Sequence, residues 1–295
     1  MRWEDGFIAV DWGTSNRRAY RIDADGTCAA EFEDSGGVLS IETRDFPTQA
    51  NDIRKRLGDL PLLLAGMVGS TRGWVEAPYA PCPADLDDLA ARLCWIESGR
   101  TAIVPGLSLN GTGHCDVMRG EEIQLFGAIA SGLIPPTTLV CHPGTHNKWV
   151  TVDQGKIMGF RTVMTGEMFN LLRSQGILAE FLSRDVSLGD AFREGVRRGL
   201  QRPVLTADLF TVRARVLLGS LARDDASAYT SGLLVGLDIS VGLELARGSN
   251  FIVMGRPELT RLYAAAAAEA GRTCQVVDGA DAFLAGALAL GSKLT

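Results

Sequence analysis

FIAVDWGTSN, residues 7–16, is the stretch from which the fold is read. Its apolar start, Phe7 to Val10, predicts a buried strand. The strand ends on an acid, Asp11, and the chain then turns through Gly13, Thr14, Ser15 and Asn16. The next run, Arg18 to Ile22, alternates and predicts a returning strand. A glycine turn with small hydroxyl residues can aim several backbone N–H groups at one anion, because no Cβ blocks the approach. Phosphate suits such a nest, and the Asp11 carboxylate at its mouth could hold a hydrated Mg²⁺ against that phosphate. An ordinary hairpin turn is the alternative, and these ten residues alone leave the two readings even.

The second half of the chain restarts as the first does. TTLVCHPGTHNKWVTV, residues 137–152, predicts a strand from Thr138 to Cys141, a Gly-Thr turn at 144–145 and a strand from Lys148 to Val152. Asp153 to Gly155 turn into a third strand, Lys156 to Thr162. Near the N-terminus the corresponding third strand is Cys28 to Glu33, closed by Gly36 and Gly37. The order strand, glycine turn, strand, turn, strand occurs twice, which reads as a weak internal duplication. Two such halves can face each other with both glycine turns in one cleft. Pro135-Pro136 breaks the chain sharply and is the expected domain boundary.

Bulk properties narrow the classes. A chain of 295 residues with 46% hydrophobic content suits two domains. A net charge of −6 argues against a nucleic-acid surface, which needs a basic stripe. Six cysteines (28, 82, 94, 115, 141 and 274) form no C-x-x-C, and there are only three histidines, so neither a zinc site nor a disulfide frame is expected. MRWEDGF at the start has no apolar signal region. No stretch reads as long and apolar enough to span a membrane, and the alanine-rich helix around 262–270 is too short. Cytoplasmic residence without a membrane or nucleic-acid partner is the expectation.

Between the two turns lie further candidates. Residues 45–58 read as a charged, mostly exposed helix closed by Gly58, and LPLLLAGMVGS from Leu60 as a buried strand entering a glycine turn. The segment Thr71 to Pro83 reads as a loop carrying Arg72, Trp74, Glu76 and Tyr79. It is either a recognition loop or a surface loop pinned by Trp74. Gly111 and Gly113 resemble a phosphate loop, but no Lys-Ser or Lys-Thr follows. Asp116 precedes a helix expected from Arg119–Glu122 to Ser131, and from the residues alone it reads as that helix's N-cap. From Thr165 to Arg247 the apolar spacing is helical and reads as core packing. FIVMG, ending on Gly255, predicts a strand followed by a helix closed by Gly271, a place where a base and ribose can lie against backbone. After a last strand, Cys274 to Val277, a helix presents Ala282, Ala285, Gly286 and Ala289, expected to pack across a moving domain interface.

Five wordings carry a resemblance: VDWGTSNRRAY, GMVGSTRGWVEAPY, DVMRGEEIQLFGA, HPGTHNKWV and MTGEMFNLL. With them the chain resembles the 2-dehydro-3-deoxygalactonokinase family of the actin/hexokinase/Hsp70 superfamily, over nearly its whole length. The resemblance implies an α/β fold of two ribonuclease-H-like domains, each a mixed five-stranded sheet flanked by helices, with a cleft between them. Residues 1–134 would bind the sugar acid and residues 135–279 the nucleotide, with the helix 280–295 packing back toward the first domain. The implied reaction is ATP-dependent phosphorylation of 2-dehydro-3-deoxy-D-galactonate at its 6-hydroxyl, in galactonate breakdown. A homodimer is among the expectations.

What the resemblance implies for single residues follows the motifs. Asp11 would position Mg²⁺ through water. Gly13, Thr14, Ser15 and Asn16 would meet phosphates from one side, and Gly144 and Thr145 from the other. Gly255 and Arg256 would lie against the adenosine. Asp116 would be the general base, a role that ordinarily contributes ~10²–10⁴-fold. Glu121, Glu122 and Glu167 read as caps or solvated acids at helix starts. Because substrate and ATP are anions, the acidic chain must gather cations locally: Arg17, Arg72, Arg119 and Lys148 are the candidates, with Trp74 beside the sugar acid. His146 and Lys148 stand where many sugar kinases have small residues, so they are assigned to the substrate carboxylate. Trp12 and Trp149 read first as core. The alternatives are a kinase of another small sugar or sugar acid and a non-catalytic, nucleotide-gated sugar sensor.

Overall fold

The computed structural model describes residues 3–111, 113–246 and 250–294. It divides into two compact units, the first made of the chain up to Thr137, 152–160 and Gly279 onward, the second of 138–151 and 161–278. Mixed α/β structure is present throughout.

The first unit opens with β1 (Gly6–Trp12), β2 (Arg17–Asp23) and β3 (Cys28–Asp34). They continue into α1 (Phe46–Leu57), β4 (Leu62–Gly66), β5 (Tyr79–Pro81), α2 (Leu86–Ala90), β6 (Cys94–Glu97) and β7 (Thr101–Ile103). β8 (Gly106–Gly111), β9 (His114–Met118) and α3 (Glu121–Ala130) complete this part. β1 is buried along nearly its whole length, as a central strand covered on both faces must be, whereas β3 is an exposed edge bearing Glu31, Glu33 and Asp34. The main sheet runs β3-β2-β1-β4-β7-β6. β2 is antiparallel to β1, while β4 lies parallel to it and pairs Asp11 with Ala65. α1 presents Phe46, Ala50, Ile53 and Leu57, at helical spacing, to a core that contains Val10, Trp12 and Leu64.

The second unit takes up β10 (Thr138–His142), most of β11 (Asn147–Asp153), the end of β12 (Lys156–Val163), α4 (Thr165–Ser174), α5 (Asp190–Leu200) and α6 (Leu205–Leu217). Then come α7 (Ala226–Ala246), β13 (Phe251–Gly255), α8 (Pro257–Glu269), β14 (Cys274–Asp278) and, returning to the first unit, α9 (Gly279–Gly291). Its sheet runs β12-β11-β10-β13-β14, with β13 parallel to both β10 and β14. The first five strands of the other sheet stand in the same order. α5 crosses α7 at backbone contact: a Cβ at Gly195 would lie 2.1 Å from the Tyr229 carbonyl oxygen, and one at Gly236 2.3 Å from that of Val196.

Four expectations are corrected. The first sheet has six strands rather than five, because Cys94–Glu97 adds an antiparallel edge to β7. Residues 106–118 form the hairpin β8–β9, so Gly111 and Gly113 belong to a hairpin end and Asp116 lies in a strand, not at the cap of α3. The segment 223–246 meets the length and apolarity of a membrane span, but 83% of its apolar window is buried inside the protein, as a core helix requires. Finally, the small residues of α9 pack inside the first unit: a Cβ at Gly127 of α3 would lie 2.0 Å from the Ala282 carbonyl oxygen, and one at Gly286 2.0 Å from that of Ile123. Arg247, where the helical pattern was expected to end, lies outside the described residues.

Candidate functional site

In the first unit the turn after β1 is built by its own backbone. The Gly13 N–H donates to the Asn16 carbonyl at 2.9 Å and closes the turn. The turn's carbonyls are then occupied from below: Val38 N–H donates to Gly13 O at 3.0 Å and Leu39 N–H to Thr14 O at 3.1 Å. This strap approaches so closely that a Cβ at Gly37 would lie 2.2 Å from the Ser15 carbonyl carbon. With its carbonyls tied down, the turn leaves Thr14 and Ser15 exposed at its outer side. That polarity suits an anion.

Asp11, one residue before the end of β1, lies beside Gly66, on which Gly120 packs. Gly66, at the end of β4, has φ +91°, and a Cβ there would lie 2.8 Å from Trp12 O and 3.5 Å from Asp11 Oδ1. Gly120, with φ +107°, packs on Gly66, where a Cβ would come within 3.2 Å of Cα. Only glycine meets both the left-handed backbone and the close approach. No group of three or more metal-ligating His, Cys, Asp or Glu occurs among the described residues. Mg²⁺ of the phosphotransferase kind takes one or two carboxylates and completes its shell with phosphate and water. Asp11 is the carboxylate that would hold it, and the ion would neutralise charge on the transferred group.

The cations sort into different tasks. Arg17 is buried and engages Asp34 through Nε at 2.9 Å and Nη2 at 3.2 Å, with its guanidinium over the Trp12 ring, so it braces the hairpin. Arg119 donates from Nη2 to Ala77 O at 2.6 Å and stacks on Tyr79 at 4.4 Å. Its Nε and Nη1 are buried without partners. Arg119 therefore holds the loop after β4 from below. Trp74 pins the same loop by stacking on Phe46, with ring centroids 6.2 Å apart and planes within 10°. Arg72 stands exposed on this loop. Asp116, in β9, keeps its carboxylate largely shielded, accepts from Val117 N–H at 2.8 Å and has His114 Nε2 at 3.7 Å.

Glu122 departs from its expected role as a solvated helix-start acid. It is fully buried, and its Oε2 accepts from Gly120 N–H at 2.7 Å while Oε1 has no partner. Burial pushes the carboxyl up to about 8, and the neighbouring Glu121 adds to that.

In the second unit, the turn Gly144–His146 leaves β10 and rests on the first turn of α4. Glu167 N–H donates to Thr145 O at 2.9 Å, the His146 Nε2 meets the Glu167 carboxylate, and a Cβ at Gly166 would lie 2.5 Å from Gly144 O. Lys148 is 5% exposed and donates from Nζ to Thr162 Oγ1 at 2.8 Å, so it is built into the sheet. Gly255, at the end of β13, lies beside the turn, with Pro143 O at 3.6 Å from its Cβ position; Arg256 then caps α8 and is exposed. The structure thus brings Gly144, Thr145, Gly255 and Arg256 together at the carboxyl ends of two parallel strands, β10 and β13, where open α/β sheets bind ligands. Trp12 and Trp149 are fully buried, as core residues. Gly66, Gly120 and Gly166 were not singled out by the sequence reading; the signal, a glycine directly after an apolar strand, was available only for Gly66.

The 2-keto-3-deoxy-galactonokinase family matches residues 11–290. The chain is 36% identical over 283 residues to 2-dehydro-3-deoxygalactonokinase of Escherichia coli K12, covering 95% of each chain. It is 37% identical over 291 residues to the "Probable 2-dehydro-3-deoxygalactonokinase DgoK1" of Rhizobium meliloti 1021, covering 95% of this chain and 94% of that one. The crystal structure of a "putative 2-dehydro-3-deoxygalactonokinase protein" from Sinorhizobium meliloti superimposes with a TM-score of 0.87 at 34% identity, over 97% of this chain and 98% of that one.

Proposed function

The chain belongs to the 2-keto-3-deoxy-galactonokinase family, and from that membership we infer its reaction. It transfers a phosphoryl group from ATP to 2-dehydro-3-deoxy-D-galactonate, an alcohol acceptor. The observation that carries this is the family match from residue 11 to 290, which spans both glycine turns and everything between. Both units are read as ribonuclease-H-like, the first taking the sugar acid and the second the nucleotide.

Phosphoryl transfer is mostly positioning and charge neutralisation. In our reading the exposed backbone of Thr14 and Ser15, with Gly13 and Asn16, meets phosphate oxygens. Gly144 and Thr145 do the same from the second unit, supported by the N-terminal turn of α4, whose dipole favours the anion. Gly255 and Arg256 lie against the adenosine, and Asp11 would hold Mg²⁺, which would neutralise charge on the transferred group. Asp116 accepts the proton of the attacking 6-hydroxyl. Val117 N–H fixes one of its carboxylate oxygens, and His114 Nε2 stands 3.7 Å from the other. Arg72, exposed on a loop that Arg119 and Trp74 hold, binds the sugar-acid carboxylate. His146, against Glu167, and Lys148, bonded to Thr162, hold the second phosphate turn in place. The enzyme works in the cytoplasm on two small molecules.

The test is ADP release from ATP and Mg²⁺ with 2-dehydro-3-deoxy-D-galactonate, its gluconate epimer, glucose, galactose and N-acetylglucosamine. Release with the keto-deoxy acid is expected. Asp116→Asn should bind ATP like the wild type and turn over ~10²–10⁴-fold more slowly. Release only with a neutral sugar would replace the substrate class, and tight ATP binding without release would favour a sensor.

A further inference from the structure

Asp238 lies in the middle of α7 and is fully buried. Its carboxylate receives four hydrogen bonds. Asn147 Nδ2 donates to Oδ1 at 2.8 Å and Trp149 Nε1 to the same oxygen at 2.7 Å. Thr165 Oγ1 donates to Oδ2 at 2.5 Å and Tyr263 OH at 2.6 Å. The acceptor capacity of a carboxylate is about four sites, so this one is filled. Cys141 Sγ, on β10, donates in turn to Asn147 Oδ1 at 3.5 Å.

The four donors come from three elements, and each of those elements carries part of the proposed nucleotide surface. Asn147 is the first residue of β11, directly after the turn Gly144–His146. Thr165 is the first residue of α4, and the next residue, Gly166, touches Gly144. Tyr263 is on α8, the helix that Arg256 caps beside Gly255. Trp149 reaches the carboxylate because its indole lies over Gly242 of α7, where a Cβ would come within 2.2 Å of the ring. A core that needed only packing would fill this place with an apolar side chain, since a buried ionisable group is costly unless fully hydrogen-bonded.

We propose that Asp238 is a positioning residue for the nucleotide: by joining β11, α4 and α8 through one carboxylate it sets the second phosphate turn and the Gly255 edge in register with each other. The inference rests on the reading of that surface as the ATP site. It touches neither substrate, so its removal should act on ATP and spare the sugar acid.

The experiment compares Asp238→Asn with Thr165→Val, which deletes one donor at nearly constant shape, and Thr165→Ser, which restores it. KM is measured separately for ATP and for the sugar acid, at a temperature where circular dichroism shows each variant folded. Direct affinity for ATP is read by calorimetry. We expect KM for ATP and the ATP dissociation constant to rise about 10- to 100-fold in Asp238→Asn and Thr165→Val, as a small misplacement of binding groups does. KM for the sugar acid should stay within about twofold, and Thr165→Ser should return to wild type. Unchanged ATP affinity in the folded variants, or an equal rise in both KM values, would overturn the proposal. If Asp238→Asn does not fold, the Thr165 pair decides alone. Should the wild type release no ADP with any sugar acid, the kinase reading fails by itself, and calorimetry still tests whether Asp238 governs nucleotide affinity.

Discussion

Glu122 shows what a single residue's surroundings do to its chemistry. In sequence it is one of two adjacent acids at a helix start, where a carboxylate normally faces water and favours the helix dipole. In the fold it has no exposed surface, one oxygen held by Gly120 N–H and the other without a partner. Its proton is held up to about 8 against an ordinary value of 4.5. Between those two values the folded chain keeps a proton that the unfolded chain has released. Stability therefore falls as pH rises through that window and levels off above it. Glu122→Gln mimics the protonated group. It should match wild type in thermal midpoint at pH 5 and exceed it by at least ~2 °C at pH 8.5; equal midpoints at both pH values would show that the carboxyl ionises without cost. Asp11 is the opposite case. Its place at the end of an apolar run, before a glycine turn, is local information and was readable directly. Asp116 and Arg119 were readable as candidates through the family wording, yet their contacts, with Val117 N–H for one and with Ala77 O and Tyr79 for the other, depend on strands the periodicity did not reveal.

At the scale of elements, glycine sets two helix crossings. α3 meets α9 through Gly127 and Gly286, and α5 meets α7 through glycines on both helices. Where backbone faces backbone at this distance, an added methyl has nowhere to go, and overpacking costs roughly 1–3 kcal/mol. Gly127→Ala should lower the urea midpoint of unfolding by a corresponding amount with the slope unchanged, whereas an unaffected midpoint would mean that α9 can slide. The small residues of α9 were visible in the sequence as a periodic set. Their partner was not, because a stripe of small residues says that something approaches closely and not which helix it is. The same limit explains β6 and the β8–β9 hairpin. These strands are short, half-exposed and interrupted by polar residues, so pairing rather than composition defines them.

For the molecule as a whole, the chain's path couples distant segments. The first unit takes 152–160 and Gly279 onward in addition to the first 137 residues. α9 covers α3 and reaches β1, where a Cβ at Gly291 would lie 2.6 Å from the Phe7 ring. Residues 1–137 made alone should therefore lack a cover over this apolar face and give a poorly dispersed amide spectrum. Restoring the missing segments in trans or by fusion should sharpen it, and a well-dispersed spectrum from the fragment alone would refute this dependence. The sequence by itself determined the strand–glycine turn–strand units, their repetition, the family and with it the reaction, because these rest on runs of neighbouring residues whose spacing is local. Only the tertiary structure decided that the two sheets share a strand order and that Glu122 is sealed away. It also decided that Arg17 is spent on Asp34, and that Asp238 gathers donors from β11, α4 and α8. Those facts depend on groups far apart in the chain meeting at hydrogen-bond distance, and no local pattern encodes the meeting.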